Sequence, residues 1–579
     1  MSIRGYRSSL LVSVFYFVSA VVMTYPLIFH LFDGLAGGYG TGDSLGNVSI
    51  INWVKRAIFD LHVDFRYFNY ILYPYGVDIL KETNFSIDYL LAVPLTVLGG
   101  PVFAYNLFFL FELCLSAFAM YLFVKYLTGN MPVAIYSGFA FGFCPYHFAR
   151  GFAGHLNMFG TWWIPLMLLY LHRAIAEKKT RDSVLAALFF VLATLTSGYY
   201  GVMCGVLILC VALFYVMQTF PKISLSDLGK QLDSAIKIIV CFVVFSLPLT
   251  IYLDYVGAPG NPYSVQYLTV YSASPEDYLT PASIHPIWQL LGERPLGHGL
   301  PWERDIYLGL SVIVLAYLGV ARSRDKLRWL YVSVGGLSFL LSLGPYLWVG
   351  ETLTSFPLPY KFLAQYIPLL ATARALNRFG LIAMLAVSLL AGFGLASVLK
   401  GRSTICGRGR RIFNRRSALT MFLILVVAVE FASVPFPVLE VKSIEGTAAY
   451  RWLATQPGDF AIVEYPIGSL EAGVGGGQAR AMWGTVIHGK HTVSGGVVLP
   501  KSKEIELVNR LRFFEPNFSG NVDLSLYHFL NIRYVLFHRV SYVAMFGLDN
   551  WYRAVDLANR TGGLTFVDNM EGTLVYRVM

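Results

Sequence analysis

The sequence places a carboxylate in a glycine-rich stretch just before an amphipathic segment. Asp43 lies within residues 37–47, where glycines on both sides allow tight backbone turns and leave the side chain uncovered. Residues 48–59 carry Ile, Val and Ala on one helical face and Lys55 and Arg56 on another, as in a helix at a membrane surface. A carboxylate there can act as a general base or hold a cation, although Gly-Asp-Ser before a helix is also an ordinary N-cap signature.

Two arginines have a spacing that suits a phosphate or pyrophosphate. Arg374 and Arg378 are four residues apart, so on a helix they would share a face and present two guanidinium groups to one anion. The alternative is that both side chains extend from the end of a span to lipid headgroups. We treat them as candidate ligands of a donor phosphate.

A short turn between predicted spans supplies further cations. Arg150 lies between His147 and His155, and a cation with hydrogen-bonding neighbours at a membrane surface can bind a lipid phosphate. A single histidine in such a turn is more often a capping or packing residue, so both interpretations stay open. Arg150 and His155 join the candidate ligands of the donor phosphate.

Acidic residues in a later loop could supply a second carboxylate. Glu276 and Asp277 lie between a proline and a Tyr-Leu-Thr-Pro turn, and His285 follows them. The three are candidates for binding an acceptor or a divalent cation such as Mg²⁺ or Mn²⁺, although adjacent carboxylates are not in themselves a metal motif. A solvated turn is the simpler alternative.

The absence of several motifs leaves some classes of function without support. The sequence has no Walker motif, no Gly-x-Ser-x-Gly and no His-Glu-x-x-His, so ATP-driven transport and metalloprotease chemistry lack support. Glu464, His488 and His491 stand out near the C-terminus without nucleophile or metal spacing, which favours packing or acceptor docking. The six cysteines show no metal-ligand spacing.

The elements that must position these residues are mostly membrane helices. Of the 579 residues, 56% are hydrophobic and 13% are charged, with a mean hydropathy of +0.58. Soluble domains carry about 25% charged residues. The net charge of +10 reflects basic residues clustered in short loops rather than a nucleic-acid partner. The composition predicts a multi-pass protein of the plasma (inner) membrane.

Basic loops set the predicted topology. Clusters within 173–181, 322–328 and 400–416 should be cytoplasmic, and so should the N-terminus, which places the C-terminus outside. About eleven spans of roughly 20 residues are consistent with termini on opposite sides of the membrane. They are predicted at 10–32, 103–126, 131–148, 156–172, 183–198, 199–220, 236–253, 305–321, 329–349, 379–399 and 417–434.

Three predicted external segments are too long to be simple turns: 33–102, 254–304 and 350–378. The first contains an apolar piece at 85–99, which is short for a crossing. We expect that piece to be re-entrant or interfacial.

The pattern changes near Pro437 to alternating strand-like and helix-like pieces. We therefore predict a mostly α protein with two domains. Residues 1–435 form a polytopic transmembrane helical bundle that carries the large external loops, and residues 440–579 form an extracytoplasmic α/β domain.

This arrangement resembles the GT-C superfamily of membrane glycosyltransferases. Their helical bundles carry a catalytic acidic residue in the first external loop and often a soluble extracytoplasmic C-terminal domain. The chain looks more closely like a group of poorly characterised prokaryotic membrane proteins. The shared stretches are 42–53, 73–76, 105–107, 144–146, 154–156, 277–281, 285–286, 307–309 and 373–379.

The resemblance implies an inverting glycosyltransferase with Asp43 as the general base. A sugar would pass from a polyprenyl-phosphate donor to an extracytoplasmic glycan, lipid or protein acceptor. One carboxylate would take the acceptor's hydroxyl proton, and cations would stabilise the departing phosphate. Thr41 departs from the superfamily's paired acidic pattern, so any divalent cation is expected to be optional.

Two other classes remain open at this point. A flippase or transporter for lipid-linked glycans predicts ionisable residues buried in mid-span and inverted repeats. Glu112 is such a residue, but the sequence shows no internal repeat. The third possibility is a non-catalytic envelope-glycan assembly factor that binds through the C-terminal region.

Overall fold

Apolar segments in a membrane must satisfy their backbone hydrogen bonds internally, and a helix does so within one segment. A computed structural model accordingly shows a mostly helical chain. It describes residues 3–37, 42–83, 85–219, 225–256, 263–292, 300–367, 370, 373–400, 410–467, 476–496, 502–516, 518 and 522–579.

The first half of the described chain is almost entirely helical. A π-helical turn, Arg56–Leu61, follows α2 directly, and 3₁₀ turns lie at Leu27–Phe29 and Leu156–Met158. The α-helices are α1 (Ile3–Met23), α2 (Gly42–Lys55), α3 (Ile79–Glu82), α4 (Ile87–Thr128), α5 (Met131–Gly142), α6 (Pro145–Ala153), α7 (Trp163–Glu177), α8 (Thr180–Thr196), α9 (Gly198–Thr219) and α10 (Leu225–Val256).

The second half mixes long helices with shorter ones. Further 3₁₀ turns lie at Pro275–Tyr278, Pro301–Arg304, Leu376–Phe379 and Val441–Ser443. The α-helices are α11 (Val265–Val270), α12 (Ile287–Leu291), α13 (Leu310–Arg322), α14 (Leu327–Ser342), α15 (Pro359–Tyr366), α16 (Gly380–Lys400), α17 (Arg410–Glu430), α18 (Thr447–Thr455), α19 (Gly476–His488), α20 (Ser502–Arg510), α21 (Ser525–Phe529), α22 (Arg539–Phe546) and α23 (Leu548–Arg560).

The strands are short, and most of them lie within residues 34–78 and 438–578. They are β1 (Gly34–Ala36), β2 (Tyr67–Phe68), β3 (Val77–Asp78), β4 (Tyr346–Val349), β5 (Thr352–Pro357), β6 (Val438–Glu440), β7 (Ala461–Tyr465), β8 (His491–Thr492), β9 (Ile532–His538), β10 (Leu564–Met570) and β11 (Thr573–Val578).

Among the described residues, four helical segments are long and apolar enough to cross a membrane, judged by length and composition. They are Ile87–Thr128, Gly198–Gln218, Ala235–Tyr252 and Leu376–Lys400, and shorter apolar helices lie at Arg7–Met23, Leu310–Arg322 and Leu327–Ser342. The chain thus has the architecture of a multi-pass membrane protein. The count of about eleven crossings stays a prediction, because a helix of fewer than about 20 residues does not by itself span the apolar layer.

Several predicted spans have different bounds in the structure, and two of the differences have a clear local cause. The span predicted at 131–148 is two helices, α5 and α6, because Pro145 opens a new helix: it has no N–H to continue the preceding one. The apolar piece 85–99 and the span 103–126 both fall in α4, which has a break at Gly100, where φ is 85°.

By contacts, the chain divides into two compact units. The first contains Met1–Pro26, Phe109–Arg150 and Met158–Phe436. Its central element is α16, which is almost wholly buried and packs against α5, α13 and α14. The backbones of α13 and α16 cross at two glycines. A Cβ atom on Gly319 would overlap the carbonyl of Leu390, and one on Gly394 would overlap the carbonyl of Leu315.

The second unit contains Leu27–Phe108, Gly151–Asn157 and Pro437–Met579. Its main sheet has the order β10-β11-β9-β7-β8. Strand β7 runs parallel to β8 and β9, and β11 runs antiparallel to β9 and β10. Strand β7 is buried along its whole length, so the core of this unit lies against it.

Segment 33–102, which the sequence predicts to be external, belongs to this second unit. Strand β1 pairs with β6, helix α2 packs against α19, and the Thr492 N–H donates to the Tyr70 carbonyl at 2.8 Å. The boundaries of the observed units therefore differ from those of the predicted domains 1–435 and 440–579. The extracytoplasmic location of residues 440–579 stays a prediction.

The close crossing of α13 and α16 predicts that a larger side chain at Gly394 destabilises the protein. Replacing Gly394 by Val should lower the stability of the purified protein by roughly 1–3 kcal/mol, because the side chain meets helix backbone that cannot move aside. Thermal melting in detergent, followed by size-exclusion chromatography, measures this. The matched control is Gly336→Ala on α14, an exposed glycine with open space around it. Equal melting of both variants would contradict the crossing.

Candidate active site

Asp43 lies in the first turn of α2, where the helix dipole favours a negative charge. Its Oδ2 atom is 3.0 Å from Nε2 of His155, and the two side chains are 44% and 14% exposed. An exposed carboxylate held by an imidazole is an arrangement that can take up a proton from a hydroxyl group. The structure thus joins the predicted base to a residue predicted as a phosphate ligand.

The histidine is brought to α2 by a close approach of two backbones. Gly154 has a φ of +79°, and a Cβ atom on it would lie 2.6 Å from the Ser44 nitrogen. The amide of Asn47 donates to the Gly154 carbonyl at 2.6 Å, and the Tyr89 hydroxyl donates to the Asn47 side-chain oxygen. Only a glycine at position 154 fits between these two backbones. Their close contact fixes the backbone next to His155.

The start of the glycine-rich loop is pinned by a buried asparagine. The Asn106 side chain accepts from the Ala36 N–H at 2.9 Å and donates to the Gly34 carbonyl at 2.7 Å. The Gly37 N–H donates to the Pro437 carbonyl at 2.8 Å. Residues 38–41, which include Thr41, lie outside the described residues.

A separate cluster in the first unit contains two of the predicted phosphate ligands. Glu303 is buried and accepts from Arg150 through Oε2 and from Arg378 through Oε1, both at 2.9 Å. Arg150 also donates to the Trp302 carbonyl at 2.7 Å, and the Asn377 amide donates to the Glu303 carbonyl. A single carboxylate therefore holds two buried guanidinium groups in place.

Arg374 has different surroundings. It lies in non-helical backbone before the 3₁₀ turn, so the premise that it shares a helical face with Arg378 is wrong. Its guanidinium lies 4.9 Å from the centre of the Tyr271 ring, and no carboxylate of the described residues lies within ion-pair distance. The guanidinium of Arg378 lies 4.5 Å from the centre of the Tyr199 ring.

Among the described residues, this cluster contains the guanidinium groups of Arg150, Arg374 and Arg378, and the carboxylate of Glu303 pairs with two of them. Guanidinium groups match the geometry of phosphate oxygens, so such a cluster can form a site for an anion such as a phosphate.

The acceptor or metal candidates do not form one cluster. Asp277 is fully buried, accepts from the Ser274 N–H at 2.8 Å and pairs with Arg304 at 2.6 Å. Glu276, its neighbour, is exposed. Asp277 thus stabilises the turn Pro275–Tyr278, and the two carboxylates have different environments.

His285 uses both ring nitrogens within the protein. Its Nδ1 accepts from the Ile287 N–H at 3.0 Å, so Nε2 carries the proton that it donates to the Val429 carbonyl at 2.9 Å. Within the described parts of the chain, no group of three or more His, Cys, Asp or Glu side chains could hold a metal ion. A metal or acceptor role for these positions stays a prediction.

Glu112, the mid-span acid, lies in a hydrogen-bonded network. It accepts from Ser116 at 3.0 Å and from Thr161 at 2.6 Å, and His147 lies 3.4 Å away. Thr161 also contacts His147 at 2.8 Å. These contacts tie α4 to α6 and to the segment before α7, which is a structural role for a buried acid.

The C-terminal polar residues form a buried network in the second unit. Glu464 accepts from Tyr450 at 2.5 Å and lies 3.0 Å from His538. Burial lowers the pKa of His488 to about 4, so this imidazole is neutral at physiological pH. His491 stacks on Tyr70 with ring centres 4.6 Å apart. For Glu464, His488 and His491 the sequence left packing and acceptor docking open, and these contacts favour packing.

Sequence reasoning missed Glu303 and Asn47. Glu303 contacts arginines that are 153 and 75 residues away, so nothing in its own neighbourhood indicates the pairing. Asn47 ends the glycine-rich stretch 37–47, where only Asp43 was singled out, yet its amide anchors the turn at Gly154.

The apolar helices are those of a multi-pass membrane protein, and the fold is similar to that of GT-C glycosyltransferases of known structure. Residues 90–427, more than half of the chain, match the family model described as Domain of unknown function (DUF6311), and the chain belongs to this family. No curated protein matches the sequence.

Three solved structures illustrate the likeness. Arabinofuranosyltransferase AftD from Mycobacteria gives a TM-score of 0.55 at 12% identity over 99% of this chain and 40% of that chain. ArnT from Cupriavidus metallidurans bound to undecaprenyl phosphate gives 0.51 at 11% identity over 100% and 98%. The apo oligosaccharyltransferase of Archaeoglobus fulgidus gives 0.50 at 12% identity over 99% and 74%. This chain thus spans about 40% of the length of AftD, and such identities show the fold alone.

The Arg150–Glu303–Arg378 contacts predict that a single substitution at Glu303 strongly lowers the stability of the protein. Replacing Glu303 by Gln should destabilise the protein by roughly 3–5 kcal/mol, because two buried guanidinium groups lose their counter-charge. Thermal melting in detergent tests this, with Glu351→Gln as the matched control at an exposed acid of the same unit. A Glu303 variant that melts like the control would show that this pairing does not hold the cluster together.

Proposed function

We propose that this protein is a membrane glycosyltransferase that moves one sugar from a polyprenyl-phosphate donor to an extracytoplasmic glycan, lipid or protein acceptor. The observation that carries the proposal is the Asp43–His155 pair, an exposed carboxylate held by an imidazole within a GT-C fold. The structure of ArnT, which has this fold, was determined with undecaprenyl phosphate bound, and that supports the proposed class of donor.

Asp43 is the proposed general base. The acceptor hydroxyl oxygen attacks the anomeric carbon of the donor, and its proton passes to the carboxylate of Asp43. The bond between the anomeric carbon and the phosphate oxygen breaks, and polyprenyl phosphate leaves with the bonding electrons. His155 is the positioning residue, because its Nε2 contacts one carboxylate oxygen and orients the other.

Arg374 is the proposed primary ligand of the donor phosphate. Its positive charge has a tyrosine ring rather than a carboxylate beside it among the described residues, so a phosphate would not have to displace an ion pair. Arg150 and Arg378 contribute the rest of the positive charge, while Glu303 keeps them in place.

The remaining assignments follow from the same scheme. Glu276 is exposed and is the proposed acceptor contact, whereas Asp277 and His285 act through their structural contacts. No step of the proposed reaction is routed through a divalent cation.

The N-terminus is proposed to be cytoplasmic and the C-terminal region extracytoplasmic. The reaction would then take place on the outer face of the plasma membrane.

The proposal predicts that Asp43→Asn abolishes sugar transfer and leaves donor binding intact. Loss of a general base should slow transfer by about 10²–10⁴-fold, because the amide cannot accept the proton. The assay uses purified protein in lipid nanodiscs, a panel of undecaprenyl-phosphate sugars and membrane extract as the acceptor. Binding of undecaprenyl phosphate is measured on the same samples.

The matched control is Asp60→Asn, an exposed acid that pairs with Lys55 close to α2. It should transfer at the wild-type rate. Transfer by Asp43→Asn at the wild-type rate would keep the enzyme class and refute Asp43 as the base. No transfer by the folded wild-type protein across the panel would favour a flippase or a non-catalytic assembly factor.

A further inference from the structure

Tyr271 lies under the guanidinium of Arg374 in the first unit, with the cation 4.9 Å from the centre of its ring. Tyr199, Tyr263 and Tyr267 lie close enough to interact electrostatically with the same charge.

The tyrosines form a fixed ladder of rings. Tyr263 and Tyr267 are stacked with ring centres 5.1 Å apart and planes 15° apart, and Tyr267 and Tyr271 are tilted with centres 5.6 Å apart. Tyr263 is 41% exposed and Tyr267 is 39% exposed, so part of each side chain remains accessible.

The backbone that carries the ladder is held at several points. The Ser264 hydroxyl accepts from the Tyr267 N–H at 3.2 Å and caps α11. The Trp348 indole donates to the Thr269 carbonyl at 2.8 Å, and the Asn377 N–H donates to the Tyr271 carbonyl at 3.1 Å. The last contact ties the ladder to the segment between Arg374 and Arg378, so the rings and the guanidinium groups keep a fixed relation.

We infer that Tyr263 and Tyr267 form a subsite for the sugar ring of the donor. This inference rests on the proposed function, in which Arg374 binds the donor phosphate. The sugar is bonded directly to that phosphate and must therefore lie within a few ångströms of the guanidinium. The polarised C–H groups of a sugar pack on the negative face of an aromatic ring, and its hydroxyls pair with phenol hydroxyls.

The chemistry of the ladder favours a sugar over the isoprenoid chain. An isoprenoid has no hydrogen-bonding groups, so it would gain nothing from the phenol hydroxyls or from the guanidinium. A rigid row of tyrosines loses little conformational entropy on binding, which suits recognition of a polar ring with apolar faces.

The test compares lipids with and without a sugar. Affinities of the full chain in nanodiscs are measured for undecaprenyl phosphate and for a panel of undecaprenyl-phosphate hexoses and pentoses. The Tyr263→Ala/Tyr267→Ala double variant should bind the preferred sugar-carrying lipid about tenfold more weakly, with unchanged affinity for undecaprenyl phosphate. Tyr366→Ala, at an exposed tyrosine of the same unit, is the matched control and should match the wild type.

The Tyr263→Phe/Tyr267→Phe double variant protects the test against misfolding, because it keeps both rings and should retain part of the preference for the sugar-carrying lipid. Equal weakening for both kinds of lipid would overturn the inference in favour of an isoprenoid or phosphate contact. Unchanged binding by the Ala variant would also overturn it, while leaving the proposed function intact. A wild type that binds no sugar-carrying lipid more tightly than undecaprenyl phosphate would refute the subsite. Failure to bind any of these lipids would refute the proposed function itself.

Discussion

The approach of Gly154 to the first turn of α2 is the constraint on which the candidate active site depends. At this point two backbones are close enough to exclude any Cβ atom, and the Asn47 amide bridges them. The approach puts His155 on Asp43, two residues that belong to segments far apart in the chain. A carboxylate at a helix N-terminus is common, but an exposed one that is oriented by an imidazole has a defined chemical use.

Charge pairing imposes a second constraint, because a buried charge in an apolar protein must have a partner. In the first unit, Glu303 pairs with Arg150 and Arg378, and Asp277 pairs with Arg304. Arg374 has a tyrosine ring as its neighbour, and for that reason we propose it as the primary ligand of the donor phosphate.

The sequence predicted secondary-structure elements better than it predicted contacts between distant residues. Composition and periodicity indicated a helical membrane protein, and Asp43 at a helix start followed from local glycine and capping signals. The contact with His155 could not be predicted because it depends on how distant segments pack. Helix α19 was missed because its glycines lower helix propensity. Gly484 is nevertheless required, since a Cβ atom there would lie 2.9 Å from His488 and 3.0 Å from the Tyr450 ring.

The central claim is that one carboxylate, Asp43, promotes a single displacement at the anomeric carbon. The most direct test is the configuration of the product formed by wild-type protein from a donor of known anomeric configuration, read from the anomeric signals in its NMR spectrum. A direct displacement assisted by one base predicts complete inversion. Retention would contradict the account, because it requires a covalent sugar intermediate and a nucleophile that the proposed mechanism does not contain.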